Sequence, residues 1–305
     1  MRSSVIIPSF QSEATIRACL TAVLAQDIAD PFEVFVVDSG TDGTAEVVRR
    51  DFPTVRLLKS ETRLDPAAAR NWAAREALGS ILAFVDSDCV PQPDWLRRMC
   101  VALDDGIHGV GGAIVPVNGS NATAWAGYFC EFREFLPRGV VRDATYLTIN
   151  NAAYPRDTFW RAGGFPEGYF PQEDQVFYSR LSPTCARIRF DPSIVVSHNH
   201  RTEVTAFLAH QTRIGLANAL VVRTLGLRGA WIASHPWLAR LLLPGLATYR
   251  FARTAAACWR QEHCVLLKQP AIAGLCWLGM LAWGIGFARG SARETSTTPV
   301  LAEIG

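Results

Sequence analysis

The chain has 305 residues, 49% hydrophobic and 19% charged, enough to bury an ordered core and to exclude wholesale disorder. A net charge of +2 without a long basic run argues against nucleic acid as a partner. The eight cysteines are scattered with no CxxC pair, which reads as buried, reduced thiols in a cytosolic protein. Met1–Ser4 runs straight into a short strand, so no secretory leader is expected, and the sequons at Asn118 and Asn121 read as chance.

Ser4 to Ser9 reads as a buried first strand ended by Pro8. A helix follows, capped by Ser12, with Ile16, Leu20, Val23 and Leu24 on one apolar stripe. Glu33 to Asp38 is a second buried strand, then come the turn Ser39-Gly40-Thr41-Asp42-Gly43-Thr44 and an amphipathic helix to about Arg50. Thr54 to Leu58 is a shorter third strand. The helix Pro66 to Leu78 is strongly signed: Asp65 can cap it, Pro66 suits its first position, and Gly79 suits a left-handed position after its end.

That helix leads into Ile81-Leu82-Ala83-Phe84-Val85-Asp86-Ser87-Asp88-Cys89. Carboxylates spaced i, i+2 leave an extended chain on the same side, so a buried strand here delivers two acids at its tip. Such a pair favours a hard divalent cation with phosphate as co-ligand; an acidic turn after a core strand is the plainer reading. Strands alternating with helices argue a parallel sheet covered on both faces, with ligands beyond the carboxyl ends of the strands. Asp38, Asp86 and Asp88 should then reach one rim.

After Asp88 the alternation loosens. A helix starts at Pro91–Asp94, Val110 to Val115 is strand-like, and Thr123 to Phe135 is helical. Asn150–Tyr154, a short helix near Arg156–Arg161 and the turn Gly163-Gly164-Phe165-Pro166 follow. Pro171–Gln175 opens a helix to about Leu181, a strand at Ile194–Ser197 precedes His198-Asn199-His200, and a helix runs from Thr202 to about Thr224.

Five of the nine tryptophans lie beyond Asn218, which marks a different environment for the C-terminal part. Trp237 to Arg260 is rich in Leu and Ala, and Arg250, Arg253 and Arg260 fall within an arc of roughly 80° at helical pitch, as in a helix lying in a membrane interface. Ala271 to Ala288 is uncharged and reaches about 27 Å as a helix, the lower limit for spanning a bilayer. Membrane contact is expected here, by spanning or by in-plane insertion; a buried helix of a soluble core has the same composition.

Several side chains have both a chemical and a plain reading. Asp38 can accept from the imide N–H of a uracil ring or cap its own turn. Arg70 and Asn71, on the first turns of the Pro66 helix, can contact base or phosphate or stand exposed. Glu173-Asp174 offers a general base or complements a helix dipole. His198 and His200 can complete a metal site or simply be hydrogen bonded.

Taken in order, Val5-Ile6-Ile7-Pro8-Ser9-Phe10, Val36-Val37-Asp38-Ser39-Gly40-Thr41-Asp42-Gly43-Thr44, Ala69-Arg70-Asn71, Asp86-Ser87-Asp88, Gly163-Gly164-Phe165-Pro166 and Glu173-Asp174 resemble the inverting nucleotide-sugar transferases of glycosyltransferase family 2. The resemblance covers about residues 1–225. It implies an α/β fold of GT-A type, a mainly parallel central sheet flanked by helices. A nucleotide-binding half would occupy about 1–115, an acceptor half about 116–225, and a helical membrane-associating region 226–305.

It further implies that Pro8, Asp38, Arg70 and Asp86 hold the nucleotide. Asp88, with Asp86 nearby and His198 as the better of the two histidines, would hold Mg²⁺ or Mn²⁺ on the diphosphate. Asp174 would deprotonate the acceptor hydroxyl, supported by Glu173. The expected reaction moves one sugar from a UDP- or dTDP-linked donor to a saccharide or lipid-linked acceptor, in envelope glycan or glycolipid synthesis at the cytoplasmic face of the cell membrane.

There are departures. Gln175-Val176-Phe177 follows the Glu-Asp pair where the family often has x-Asp-Leu, and the QxxRW motif of processive synthases is absent, which argues for single-sugar transfer. Asp86-Ser87-Asp88-Cys89-Val90 also fits the DxDxV pattern of haloacid dehalogenase-type phosphatases, but strands precede it and only Lys59 and Lys268 are on offer as the later lysine. A catalytically inactive, membrane-docked scaffold is opposed by the presence of Asp86, Asp88 and Asp174 together.

Overall fold

A computed structural model describes residues 2–104, 106–181, 187–259 and 265–293. Four strands, β1 (Ser3–Ser9), β2 (Phe32–Asp38), β3 (Arg56–Lys59) and β4 (Ile81–Val85), pair in parallel and are joined by α1 (Ile16–Leu24), α2 (Thr44–Asp51) and α3 (Pro66–Glu76). Val5, Ile6, Ile7, Phe35, Val36, Val37, Leu82 and Phe84 are fully buried, because helices cover both faces and the strands read as unbroken apolar runs.

Past β4 come β5 (Cys89–Pro91), α4 (Trp95–Asp104), β6 (Gly109–Pro116), α5 (Ala122–Phe132), β7 (Arg142–Asp143), β8 (Asn151–Pro155), α6 (Arg156–Arg161), α7 (Glu173–Leu181) and β9 (Ile188–His198). The strand order is β3-β2-β1-β4-β8-β6-β9-β5, with β7 on β9. The expectation of a mainly parallel sheet is corrected to a mixed one: β8 runs antiparallel to both β4 and β6, and β9 antiparallel to both β5 and β7. A parallel neighbour needs a crossover, and only the first four strands are linked to their neighbours that way. Asn151 ties this half together, accepting from Trp95 Nε1 at 2.9 Å and donating to the Ala113 and Ile194 carbonyls.

Three local expectations change. The first strand continues through Pro8 to Ser9; β1–β4 pairing has already stopped at Ile6↔Phe84, so a residue without an N–H is tolerated there. Ser12 is not a helix cap: Thr15 holds that position, while the Ser12 hydroxyl bonds Ser87 Oγ at 2.7 Å, bracing the residue between Asp86 and Asp88. Gly79 does not lie in the left-handed region; α3 ends with Ala77 extended, and a Cβ on Gly79 would sit 2.6 Å from Ser4 N.

The chain forms two compact units. The first holds the whole sheet and is built from the residues up to Val115, Pro137–Gly168 and Glu173–His198. The second joins Pro116–Leu136, Tyr169–Gln172 and the chain from Asn199 onward. Its helices are α5, α8 (Val204–Thr224), α9 (Ala230–Ala233), α10 (Pro236–Leu241), α11 (Leu243–Trp259), α12 (Val265–Lys268) and α13 (Pro270–Ser291).

Among the described residues α13 is the one helix long and apolar enough to cross a membrane. Within its unit it is also the central helix, packed along α8 and against α5 and α11. A Cβ on Gly215 of α8 would collide with the Trp283 carbonyl, and one on Gly286 of α13 with the Thr212 carbonyl, so these two helices meet backbone to backbone. Two of the three arginines of the arc have protein partners. The Arg250 guanidinium lies 4.1 Å over the Trp283 ring and Arg253 pairs with Glu134 at 3.0 Å, so both turn to protein partners; Arg260 lies outside the described residues.

Candidate active site

The carboxyl ends of the first strands lie in register, Ser9 beside Asp38 and Asp38 beside Lys59. Asp38 is fully buried; its Oδ1 accepts from Gly40 N at 3.1 Å and its Oδ2 from Lys59 Nζ at 2.9 Å. Lys59 also donates to the Gly40 carbonyl, so one cation fixes the turn after β2. Sequence reasoning passed over Lys59 as a site residue; its place at the tip of the third strand was the available signal. Pro8 lies on this rim opposite Val37, and Ser9 Oγ is buried with no hydrogen-bond partner.

Asp65 organises the next layer. Its Oδ1 accepts from Ala67 N at 2.7 Å, capping α3, and its Oδ2 accepts from Gly168 N at 2.9 Å. The loop it holds begins at Gly163 and Gly164, whose φ values of +85° and +70° belong to the left-handed region that favours glycine. This double turn presents Phe165 to Asn71, which accepts from Phe165 N at 2.9 Å and donates to Phe165 O at 2.8 Å. Asn71 is therefore a loop clamp.

Its neighbour Arg70, 2% exposed, donates to Asp86 Oδ1 at 2.6 Å and to Glu173 Oε1 at 3.2 Å. One cation thus joins α3, the tip of β4 and the start of α7. Its Nε is buried without a partner.

The second acid of the β4 tip meets a histidine. Cys89 and His198 are opposed in the β5–β9 pair, which brings His198 Nε2 to 3.6 Å from Asp88 Oδ2. The ligand atoms of Asp88, Cys89 and His198 all lie within 4.8 Å of one another. Burial pushes the Asp88 carboxyl up and the nearby His198 pulls it back. The Asp88 carboxylate oxygen suits either Mg²⁺ or Mn²⁺, whereas the imidazole nitrogen is a softer ligand that fits the transition metal Mn²⁺ better than the oxygen-seeking Mg²⁺. The Cys89 thiol fits less well, because a soft sulfur ligand does not suit a hard, oxygen-seeking cation. Asp86 stands outside this trio, with its Oδ1 taken by Arg70. His200 belongs to the other unit, where its N–H donates to Asn118 Oδ1 and its ring meets Tyr128 and Phe132.

At the start of α7 the two acids differ from ordinary surface carboxylates. Burial pushes Glu173 up to about 8, with Arg70 opposing and Asp174 reinforcing the shift. Burial also pushes Asp174 up to about 6, the N–H of Gln175, at 2.7 Å from its Oδ1, pulling the other way. A carboxylate poised near neutrality is a competent proton acceptor.

The described residues carry a strand-tip rim with a buried acid–lysine pair, a shared arginine, a carboxylate–imidazole pair and two raised carboxyls at the start of α7. The profile of the family described as Glycosyl transferase family 2 matches residues 4–163, just over half of the chain. Glycosyltransferase AglE of Haloferax volcanii is 28% identical over 218 residues, covering 70% of this chain and 71% of that protein. Pre-mycofactocin glycosyltransferase of Mycobacterium tuberculosis is 28% identical over 226 residues, and the chain spans under half (46%) of its length.

Among solved structures, mannosyltransferase PcManGT from Pyrobaculum calidifontis, in complex with GDP-Man and Mn²⁺, matches with a TM-score of 0.62 at 22% identity, over 95% of this chain and 86% of that one. S. aureus TarS 1–349 in complex with UDP-GlcNAc matches with a TM-score of 0.55 at 19% identity, over 94% and 90%. Those likenesses establish the GT-A fold, and the profile match the family: the chain belongs to glycosyl transferase family 2.

Proposed function

We propose that the protein transfers one sugar from a nucleoside-diphosphate sugar, UDP- or dTDP-linked, to an acceptor hydroxyl with inversion. The observation that carries this reading is the convergence at one rim of Arg70 bridging Asp86 and Glu173 with Asp88 facing His198. Asp38 and Pro8 line the base end, and Arg70 with Asp86 holds the nucleotide. Asp88 and His198 would hold Mg²⁺ or Mn²⁺, which would supply positive charge against the departing diphosphate.

Asp174 takes the proton of the acceptor hydroxyl. The acceptor oxygen bonds to the anomeric carbon from the face opposite the diphosphate, the bond from that carbon to the phosphate oxygen breaks, and the nucleoside diphosphate leaves with the electron pair. Glu173, held by Arg70, orients this end of α7. A phosphatase reading of Asp86 is set aside because the chain matches glycosyl transferase family 2 over residues 4–163.

We assign the nucleotide half to about 1–115, the acceptor half to 116–225 and a membrane-associating region to 226–305. The acceptor is then a saccharide or a lipid-linked glycan at the cytoplasmic face of the cell membrane, in envelope glycan or glycolipid synthesis. A thermal-shift screen of nucleotide sugars with Mn²⁺, followed by product analysis with membrane extracts, tests the proposal. Stabilisation by a nucleotide sugar that depends on the cation and is lost in Asp88→Ala supports it; a screen without any such shift overturns it.

A further inference from the structure

The second unit exposes apolar side chains that a soluble helical unit would bury. Trp231 is 62% exposed, Trp237 65%, Leu241 69% and Trp259 79%. They sit on α9, α10 and α11, whose opposite sides are turned inward: Ala233 and Ala239 are fully buried in one cluster with Trp283, Phe287 and Ala288 of α13, and Leu243 and Leu246 pack against it. The same three helices therefore share an inner side on α13 and an outer side rich in tryptophan, the residue that prefers the boundary between hydrocarbon and water. An exposed apolar surface of this kind marks an interaction site.

Charge selects the partner. Although the whole chain carries only +2, the stretch Val204–Arg293 holds ten Lys and Arg against one acid, Glu262. Arg228 and Arg240 are exposed at the edges of α9 and α10. Two copies meeting through this face would set arginine against arginine, with no carboxylate among its described residues. A surface of lipid phosphates meets both needs, accepting indole rings below the headgroups and arginines among them.

The packing of α13 decides how. Were α13 to span, α8 would have to follow it into hydrocarbon along its backbone-to-backbone contact, taking His210 and Gln211 and, on α5, their partner Glu131. The helix packs against α5, α8, α10 and α11 of its unit, leaving Trp277, Leu278 and Ile285 exposed among its large apolar side chains.

We infer that the outer side of α9, α10 and α11 is a docking surface for an anionic bilayer. Trp231, Trp237, Leu241 and Trp259 enter the interface, Arg228 and Arg240 meet lipid phosphates, and no helix spans. This deepens the membrane part of the proposed function and rests on that part alone, so nucleotide binding reads out the donor chemistry separately.

The test is co-sedimentation of the full chain with vesicles of phosphatidylcholine plus phosphatidylglycerol and with phosphatidylcholine alone, for the wild type, Trp231→Ser/Trp237→Ser/Trp259→Ser and Arg228→Gln/Arg240→Gln. Circular dichroism and nucleotide thermal shift confirm that each variant is folded. The tryptophan variant is expected to lose vesicle affinity at least about tenfold, and the arginine variant to lose the preference for anionic vesicles. Wild-type protein on native membranes should be released by alkaline carbonate. Unchanged vesicle binding in folded variants, or resistance to carbonate, overturns the inference. A wild-type dimer that the tryptophan variant abolishes, without vesicle binding, gives the face to a second copy and overturns it too.

Discussion

Two half-buried carboxylates, one in each unit, differ in what surrounds them. Glu131 on α5 accepts from Gln211 Nε2 at 2.8 Å and faces His210 Nε2 at 3.6 Å, with His200 and Arg201 adding positive potential. Burial alone would raise it, yet these partners outweigh burial and hold it down at about 2. Asp174 on α7 has only peptide N–H donors, those of Gln175 and of Asp174 itself, and a more distant Arg70, and burial carries it up to about 6. Burial is common to both; the supply of donors decides. A fully partnered acid is a structural tie, whereas an under-partnered one is kept ready to take a proton.

The contrast can be broken from either side. The largest effect is expected for Arg70→Ala, which strips both Asp86 and Glu173 of their shared cation. A loss of about 3 kcal/mol in urea unfolding is expected, because a buried acid is left unpaired, together with loss of nucleotide binding. Unchanged nucleotide binding in the folded variant would remove Arg70 from the donor site.

Next, Glu131→Gln should cost about 1–3 kcal/mol of stability with kcat and KM of the folded fraction unchanged. Lost transfer at unchanged stability would move Glu131 out of the structural class. Its linkage has a definite sign. A depressed folded value contributes stability that is complete above the ordinary carboxylate range and is lost as the pH falls from there toward 2, so the variant should unfold with less acid sensitivity in that window.

Asp174 carries the opposite sign. Its raised value makes the unliganded protein lose stability as the pH climbs from the ordinary carboxylate range through about 6. Asp174→Asn should therefore stabilise the unliganded protein at neutral pH, by about 1–2 kcal/mol once its partial exposure is allowed for. Destabilisation instead would show that Asp174 is a tie like Glu131.

How far the sequence exposes this depends on the range of each interaction. β1, β2, β4 and α3 are legible because a buried strand is an apolar run and a capped helix advertises its ends with Asp65 and Pro66. β9 is legible only over Ile194–Ser197; from Ile188 onward Arg189 and Asp191 interrupt the apolar signal of a half-buried strand. The antiparallel half of the sheet is hidden, since strand order is set by contacts between distant segments. The Asp38–Lys59 pair follows from register, which single strands do not reveal.

Arg70 and Glu173 lie 103 positions apart, so only the order of motifs hinted at their meeting. Gly79 shows how one residue type misleads: it is needed for close approach to Ser4, whereas Gly163 and Gly164 are needed for their φ values.

The most direct test of the central claim is transfer by Asp174→Asn, measured with the nucleotide sugar that best stabilises the wild type, alongside calorimetric binding of that nucleotide with Mn²⁺ on the same preparations. A general base without a substitute predicts transfer lower by about a thousandfold with Kd within about twofold, and wild-type transfer that falls as the pH drops through about 6. Parallel loss of binding and transfer, or transfer that survives the substitution, would contradict the account.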